Sequence, residues 1–458
     1  MAQVLTKAMD RNVEATLSLL NDIVGTSQLP DVAVRLWNGA TWRPESATGE
    51  PTRCTVVLQH PGALRKMLAP PTDLRLGEAY IYNDFDIEGE IEATLPLTQY
   101  LFERRWGKME KMRYAGRLLS LPKAGRSLPA NVAAKMRGRL HSIDRDRQAI
   151  AYHYDDIPND FFARWLDSRM IYSSAYFAAP DTDLDTARES KLDYVCRKLR
   201  LQPGERLLDL GCGWGGLVIY AAQRYGVKVD GVTISRQQAE LARERIRKAG
   251  LEERCRITLC DYREINEPQG YDKLVSLEMD VHVGEALLRT FFKCAAGLLR
   301  PGGVFLNQSI GIHSNMPVLG FDFVRRYVWP DVTPVPISET LRAAESAGFG
   351  VHDVENIKDH YAHTLRHWLR RLEAHAEEAN RIAGEITYRS LRLVLSIGLH
   401  EMAVGGEPIS DVVGEAAERK GWLAVKKGRL VRLIRPKRAV VMQLAHRPGP
   451  QLGYRRLQ

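Results

Sequence analysis

The chain has 458 residues, 45% of them apolar, with 65 Lys and Arg against 56 Asp and Glu, a formal charge of +9. That length exceeds what one hydrophobic core usually organises, and the basic balance (pI near 9.2) favours a polyanionic partner: nucleic acid, an anionic membrane or a phosphorylated ligand. No stretch approaches the roughly 18 uncharged apolar residues of a membrane span, and the scattered cysteines at 54, 196, 212, 255, 260 and 294 exclude a paired zinc motif or a disulfide scaffold and point to a reduced, cytosolic setting.

Residues 1–105 read as a compact α+β unit. VAVRLWNGATWRP and RCTVVLQH alternate as strands do, PGALRKMLAP suggests a short helix, and LRLGEAYIYNDFDIEGE reads as a bend with acidic decoration. Residues 106–150 form a basic linker. From Arg104 to Arg139 the lysines and arginines are opposed by Glu110 alone, with Trp106, Met109, Met112, Tyr114, Leu118 and Leu119 interleaved. Two readings stay open: a solvated linker with snorkelling cations, or a basic amphipathic segment lying on anionic lipid. The basic run Lys426, Lys427, Arg429, Arg432, Arg435, Lys437 and Arg438 admits the same second reading.

From 151 to 458 strands and helices alternate. LLDLG, VKVDGVTIS, CRITLCDY, YDKLVSLEM and GGVFLNQSIG read as strands separated by helical runs, which predicts an α/β, doubly wound Rossmann-like domain with its crevice at the carboxyl ends of the strands. A helical, aromatic-bearing insertion occupies about 316–400. The string DLGCGWGG after the first strand lacks the Lys-Ser/Thr of a phosphate loop and resembles the S-adenosylmethionine (SAM) methyltransferase turn. Asp209, Gly211, Gly213 and Gly215 then belong to the cofactor site. At the second strand end Thr233, Ser235 and Gln238 offer hydroxyl and amide groups, and at the third Asp261 is placed to accept from an adenine amino group with Tyr262 available to stack.

With GCGWGG, GVTISRQQ, CDYR, HYDDIPNDFFARWLDSRMIYSSAYF, FDFVRRYVWP, DHYAHTLRHW and LGEAYIYNDFDIEGE on one chain, the sequence resembles the cyclopropane-fatty-acid synthase family over nearly its whole length. The resemblance implies methyl transfer from SAM to a double bond of an unsaturated phospholipid acyl chain, a small amino-terminal lipid-binding domain and a helical lid. It also implies an anionic membrane as partner, with no nucleic acid, peripheral attachment to the cytoplasmic face of the membrane, and a homodimer left open. A sulfonium methyl is already activated, so such an enzyme excludes water, aligns the alkene and stabilises a cation with aromatic faces. Tyr172, Tyr176, Phe177, Tyr327, Trp329, Tyr361 and Trp368 are candidates for that wall.

Ring closure requires a proton to leave, and in this family a bound bicarbonate takes it. The resemblance places Ser174, Val281 and Gln308 where the family carries cysteine, glutamate and histidine, while Ile310 and Tyr361 are kept. Three polar contacts to the anion are thus altered, so bicarbonate use is in question; Asp280, His282 and Tyr361 are the alternative proton acceptors. Methyl-branched or methylene products without ring closure, or methylation of a small amine, remain the alternative outcomes.

Overall fold

The computed structural model describes residues 2–24, 32–44, 52–104, 106–123, 133–312, 320–404 and 409–416. The basic run at Lys426 to Arg438 lies outside them, as does Arg126. After helix α1 (Ala2–Val24), strand β1 (Val32–Arg35) pairs antiparallel with β2 (Thr41–Trp42) and parallel with β3 (Cys54–Leu58). β3 in turn pairs antiparallel with β4 (Phe85–Gly89), so the order is β2-β1-β3-β4. Cys54, Val56 and Leu58 point into the core while Thr55 and Val57 are half-buried, the period of two that the sequence carries.

Helices α2 (Ala63–Leu68) and α3 (Asp73–Ile81) connect β3 to β4. The segment read as a bend with acidic decoration is therefore α3 followed by a strand. Thr72 Oγ1 accepts from the Arg75 backbone N–H at 3.2 Å to start the helix, and Ala79, Tyr80 and Ile81 are buried at its end. Asp86 and Glu88 alternate with buried Phe85 and Ile87, the pattern of an edge strand whose outer face is wet.

The basic segment follows α4 (Leu95–Glu103) and contains α5 (Lys108–Ser120). α5 is docked: Tyr114 and Leu118 are buried, Arg117 pairs with Asp22 of α1, and Arg104 pairs with Glu110 at 2.9 Å. Its outer face leaves Lys108, Met109, Lys111, Met112 and Leu119 exposed.

Three helices, α6 (Ile143–Tyr154), α7 (Asn159–Ala163) and α8 (Leu184–Lys198), lead to the second sheet. It is built from β5 (Arg206–Leu210), α9 (Gly216–Tyr225), β6 (Lys228–Thr233), α10 (Arg236–Lys248), β7 (Cys255–Leu259), β8 (Tyr271–Leu277), α11 (Asp280–Val283), α12 (Glu285–Leu298) and β9 (Leu299–Ile310). Then come α13 (Phe321–Tyr327), α14 (Ile337–Ser346), β10 (Phe349–Asn356), α15 (Lys358–Ala374), α16 (Ala376–Ala383), α17 (Glu385–Val404) and β11 (Ile409–Ala416). The strand order is β10-β11-β9-β8-β5-β6-β7; β9 through β7 run parallel, and β11 is antiparallel to both its neighbours.

Leu207, Val229, Val275 and Leu306 fill one face of this sheet, and Leu208, Leu274 and Phe305 the other. Such two-sided burial is why these strands read as continuous apolar runs. The helical insertion expected over 316–400 is divided: α14 packs on α12 and β10 extends the sheet, leaving α13 and α15 to α17 as the helical cover. The boundary expected near 105 is no break in packing, since Met1–Glu418 form one compact unit. Arg389 of α17 donates to the carbonyls of Tyr80 and Phe85, at 2.8 and 3.0 Å.

Candidate active site

β5 lies between β6 and β8, so the crevice at its carboxyl end is the switch point of the sheet. The turn after it holds Gly211, Gly213 and Gly215 at φ of +82°, +52° and +79°. A Cβ at Gly213 would meet no atom within 4 Å, and Gly213 lines the cavity at the strand ends. A Cβ at Gly215 would stand 3.1 Å from that of Ala242 on α10. Gly215, expected in the cofactor site, is not on the cavity wall; it lets α9 start close to α10. Asp209 and Gly211 line the cavity, and burial alone pushes the Asp209 carboxyl up to about 7.

At the end of β6, Thr233 Oγ1 donates to Gln238 Oε1 at 2.7 Å, and both residues face the cavity. Ser235 does not. Its hydroxyl accepts from the Gln238 N–H at 3.1 Å and donates to Asp155 at 2.5 Å, so it caps α10 and ties down the HYDD segment. At the end of β7, Asp261 and Tyr262 line the cavity. Arg263 fixes the Asp261 carboxylate through Nε at 2.7 Å and Nη2 at 2.6 Å, and Tyr262 packs edge-on against Phe291. A space bordered by a glycine whose β-carbon would enter it, a buried acid, an amide and a second carboxylate fits a zwitterionic nucleoside such as SAM.

A second, apolar cavity adjoins the first. Tyr154, Tyr172, Glu278 and His282 belong to the walls of both. Val281, Ile310, Trp329, Tyr361, Leu365 and Trp368 line the apolar one, with aliphatic residues of α17 beside them. Its aromatic rings interlock: Trp368 lies 5.2 Å from Tyr172 and 5.9 Å from Tyr361, both edge-on. Burial holds the His282 imidazole down at about 4, so it is neutral near pH 7.

Of the expected acceptors, Tyr361 and His282 reach the chamber. Asp280 lines neither cavity: its carboxylate accepts from Asn307 Nδ2 at 3.1 Å on β9, directed into the sheet. Ser174 and Gln308 are fully buried behind the wall, where both bond the Glu278 carboxylate. Three of the expected aromatic residues also lie elsewhere. Tyr176 stacks on His360, Phe177 on His367, and Tyr327 donates to Glu78 at 2.8 Å. Of the four residues shared by the two cavities, Tyr154 and Glu278 are the ones that sequence reasoning missed. Glu278 had a visible signal, an acid closing the apolar strand YDKLVSLEM.

Residues 141–405 match the family described as mycolic acid cyclopropane synthetase. The chain is 34% identical to a probable fatty acid methyltransferase of Pseudomonas putida over 79% of this chain and 86% of that one. It is 40% identical to the cyclopropane-fatty-acyl-phospholipid synthase of Escherichia coli K12, over 52% of this chain and 60% of that one. Among solved structures it is similar to a mycolic acid cyclopropane synthase in complex with SAH and CTAB, with 29% identity and a TM-score of 0.56 over 59% of this chain and 98% of that one.

Proposed function

Because the chain belongs to the mycolic acid cyclopropane synthetase family of SAM-dependent methyltransferases, we propose that it methylates a double bond of an unsaturated phospholipid acyl chain and closes a cyclopropane ring there. The observation that carries this reading is the junction of the two cavities. Tyr154, Tyr172, Glu278 and His282 are shared by a polar cradle at the strand ends and an aromatic, aliphatic chamber suited to an acyl chain. Bound SAM supplies an electrophilic methyl on a positively charged sulfur. The protein's part is to hold that group through the Gly211–Gly213 turn, Gln238 and Asp261, and to bring an alkene in line with it.

The chamber walls exclude water, which would otherwise trap a carbon cation. The faces of Tyr172, Trp329 and Trp368 stabilise positive charge without attacking it. Phospholipid is favoured over a free fatty acid by α5, whose exposed Lys108, Lys111, Met109 and Met112 combine cations with apolar side chains on one docked helix. We read that face as the contact with an anionic membrane.

The test is incubation with SAM and mono-unsaturated phospholipid vesicles, followed by mass and chromatographic identification of the released acyl chains. Chains heavier by one CH2 and without a double bond are expected. A methylated amine headgroup with unchanged acyl chains would overturn the reading, and a methylene or branched chain would replace the ring-closing part of it.

A further inference from the structure

Glu278 ends β8 at the meeting of the two cavities and is 9% exposed. Its φ of +58° lies in the left-handed region, which a β-carbon disfavours. The surroundings impose that conformation. The Glu278 backbone N–H donates to Gln308 O at 2.8 Å, and its Oε1 accepts from the Ser174 backbone N–H at 2.8 Å and from the Gln308 side-chain amide. The Gln308 amide is oriented by buried Lys191, which donates to its oxygen and to Ser174 O at 3.1 Å. Arg188 adds a bond to the same Ser174 carbonyl at 2.9 Å. Backbone strain and a buried polar framework thus hold one carboxylate at the edge of an otherwise apolar chamber.

The two groups that bond it are both neutral, and both bonds fall on Oε1. Ser174 and Gln308 are also two of the positions at which the family resemblance implies contacts to a bound bicarbonate, and two more, Ile310 and Tyr361, line the chamber together with Glu278. We propose that Glu278 is the catalytic proton acceptor, a resident carboxylate that takes the place of an exogenous anion. The inference rests on methyl transfer to an alkene. In that step the π pair forms the new C–C bond to the methyl carbon, while the C–S bond breaks and leaves its pair on sulfur. One former alkene carbon is then short of a pair. The Glu278 carboxylate takes a proton from the newly joined methyl group, and the freed C–H pair closes the three-membered ring. The carboxylic acid returns its proton to water when the lipid leaves. Charge and atoms balance with no oxidant or reductant. Burial pushes the Glu278 carboxyl up while the Lys191 charge draws it back, so the anion is a stronger base than an exposed glutamate.

Two variants test this. Glu278→Gly suits the left-handed backbone and empties the carboxylate position; Glu278→Gln keeps the volume without the base. Each is compared with wild type for turnover in carbonate-depleted buffer with and without bicarbonate, for SAM affinity by calorimetry, for melting temperature, and for binding of carbon-13 bicarbonate by NMR. Wild type should be indifferent to bicarbonate and bind none. Glu278→Gln should lose roughly 100-fold or more in turnover at nearly unchanged SAM affinity, the scale of a lost general base. Glu278→Gly should be equally slow, acquire a bicarbonate signal, and recover on adding bicarbonate or formate. A wild-type rate that collapses without bicarbonate, or a folded Glu278→Gln within a few-fold of wild type, overturns the proposal. Should wild type leave every unsaturated lipid unchanged, the proposed function fails, and the bicarbonate measurement still decides the Glu278 site: a Gly variant that binds no anion counts against it.

Discussion

A side chain at Gly213 would enter the cofactor cavity, whereas one at Gly215 would strike Ala242 on α10, so the two glycines give separable phenotypes. Gly213→Val should weaken SAM binding by roughly tenfold or more, beyond the roughly 1–2 kcal/mol of strain that its positive φ adds to folding. Gly215→Val should instead lower the melting temperature, with less effect on SAM affinity per degree lost. Calorimetry and thermal unfolding of both variants distinguish the roles. Asp209 makes a second prediction, in pH. Its folded-state pKa near 7 exceeds the ordinary value of about 3.9, so as pH rises the unfolded chain releases this proton first. The apo protein therefore loses stability from about pH 4 to pH 7 through this group and changes little from it above. Asp209→Asn should flatten that decline, and denaturant midpoints across this window read it directly. The glycine turn and the acid before it were legible because their geometry is local. Glu278 was legible only as an acid closing a strand; its place in the site depends on Ser174 and Gln308, which are 104 and 30 residues distant in sequence.

At the scale of elements, α5 shows how far composition carries. The excess of Lys and Arg between 104 and 139 marks the segment, yet whether it floats or docks depends on Asp22 of α1 and on burial of Tyr114 and Leu118, which no local pattern contains. The docked helix exposes Met109 and Met112 at 79% and 70% beside Lys108 and Lys111, an arrangement costly in water and favourable at a lipid interface. Replacing Lys108 and Lys111 by Glu should cut binding to anionic vesicles by roughly tenfold or more, given about 1 kcal/mol per cation near such a surface. Added salt should weaken wild-type binding in the same direction. Turnover of detergent-dispersed lipid should stay near wild type. Equal sedimentation of the variant and wild type with anionic vesicles would remove α5 from the interface. The opposite lesson comes from α3 and β4. Their acids suggested decoration because a short edge strand alternates over too few residues for its period to stand out.

Across the whole molecule, the expected divide between an amino-terminal unit and a catalytic unit becomes a shared core. Val34, Val56, Leu58 and Tyr80 of the first sheet region belong to the same apolar cluster as Phe323, Trp368, Leu391 and Leu395 of the helical cover. Arg392 of α17 strengthens the joint: it donates to the Tyr80 hydroxyl at 2.8 Å and pairs with Glu373 at 2.7 Å, while its neighbour Arg389 lies 4.2 Å from the Tyr80 ring centre. The helices that roof the acyl chamber are thus the ones that bury the first sheet, and the two should unfold together. Calorimetry of the full chain should give one transition for residues 1–418, shifted upward as a whole by SAM, because a ligand that binds only the folded state stabilises everything that unfolds with its site. Arg392→Met should lower that single transition by a few kcal/mol, since it strands the buried Tyr80 hydroxyl and the Glu373 carboxylate. Removing residues 1–105 should leave a chain that aggregates, with Phe323, Leu393 and Ile397 stripped of cover. The decisive observation is an early transition insensitive to SAM: it would mean that the first sheet folds apart from the roof of the chamber, and the truncated chain should then stay soluble and bind SAM with the affinity of the whole.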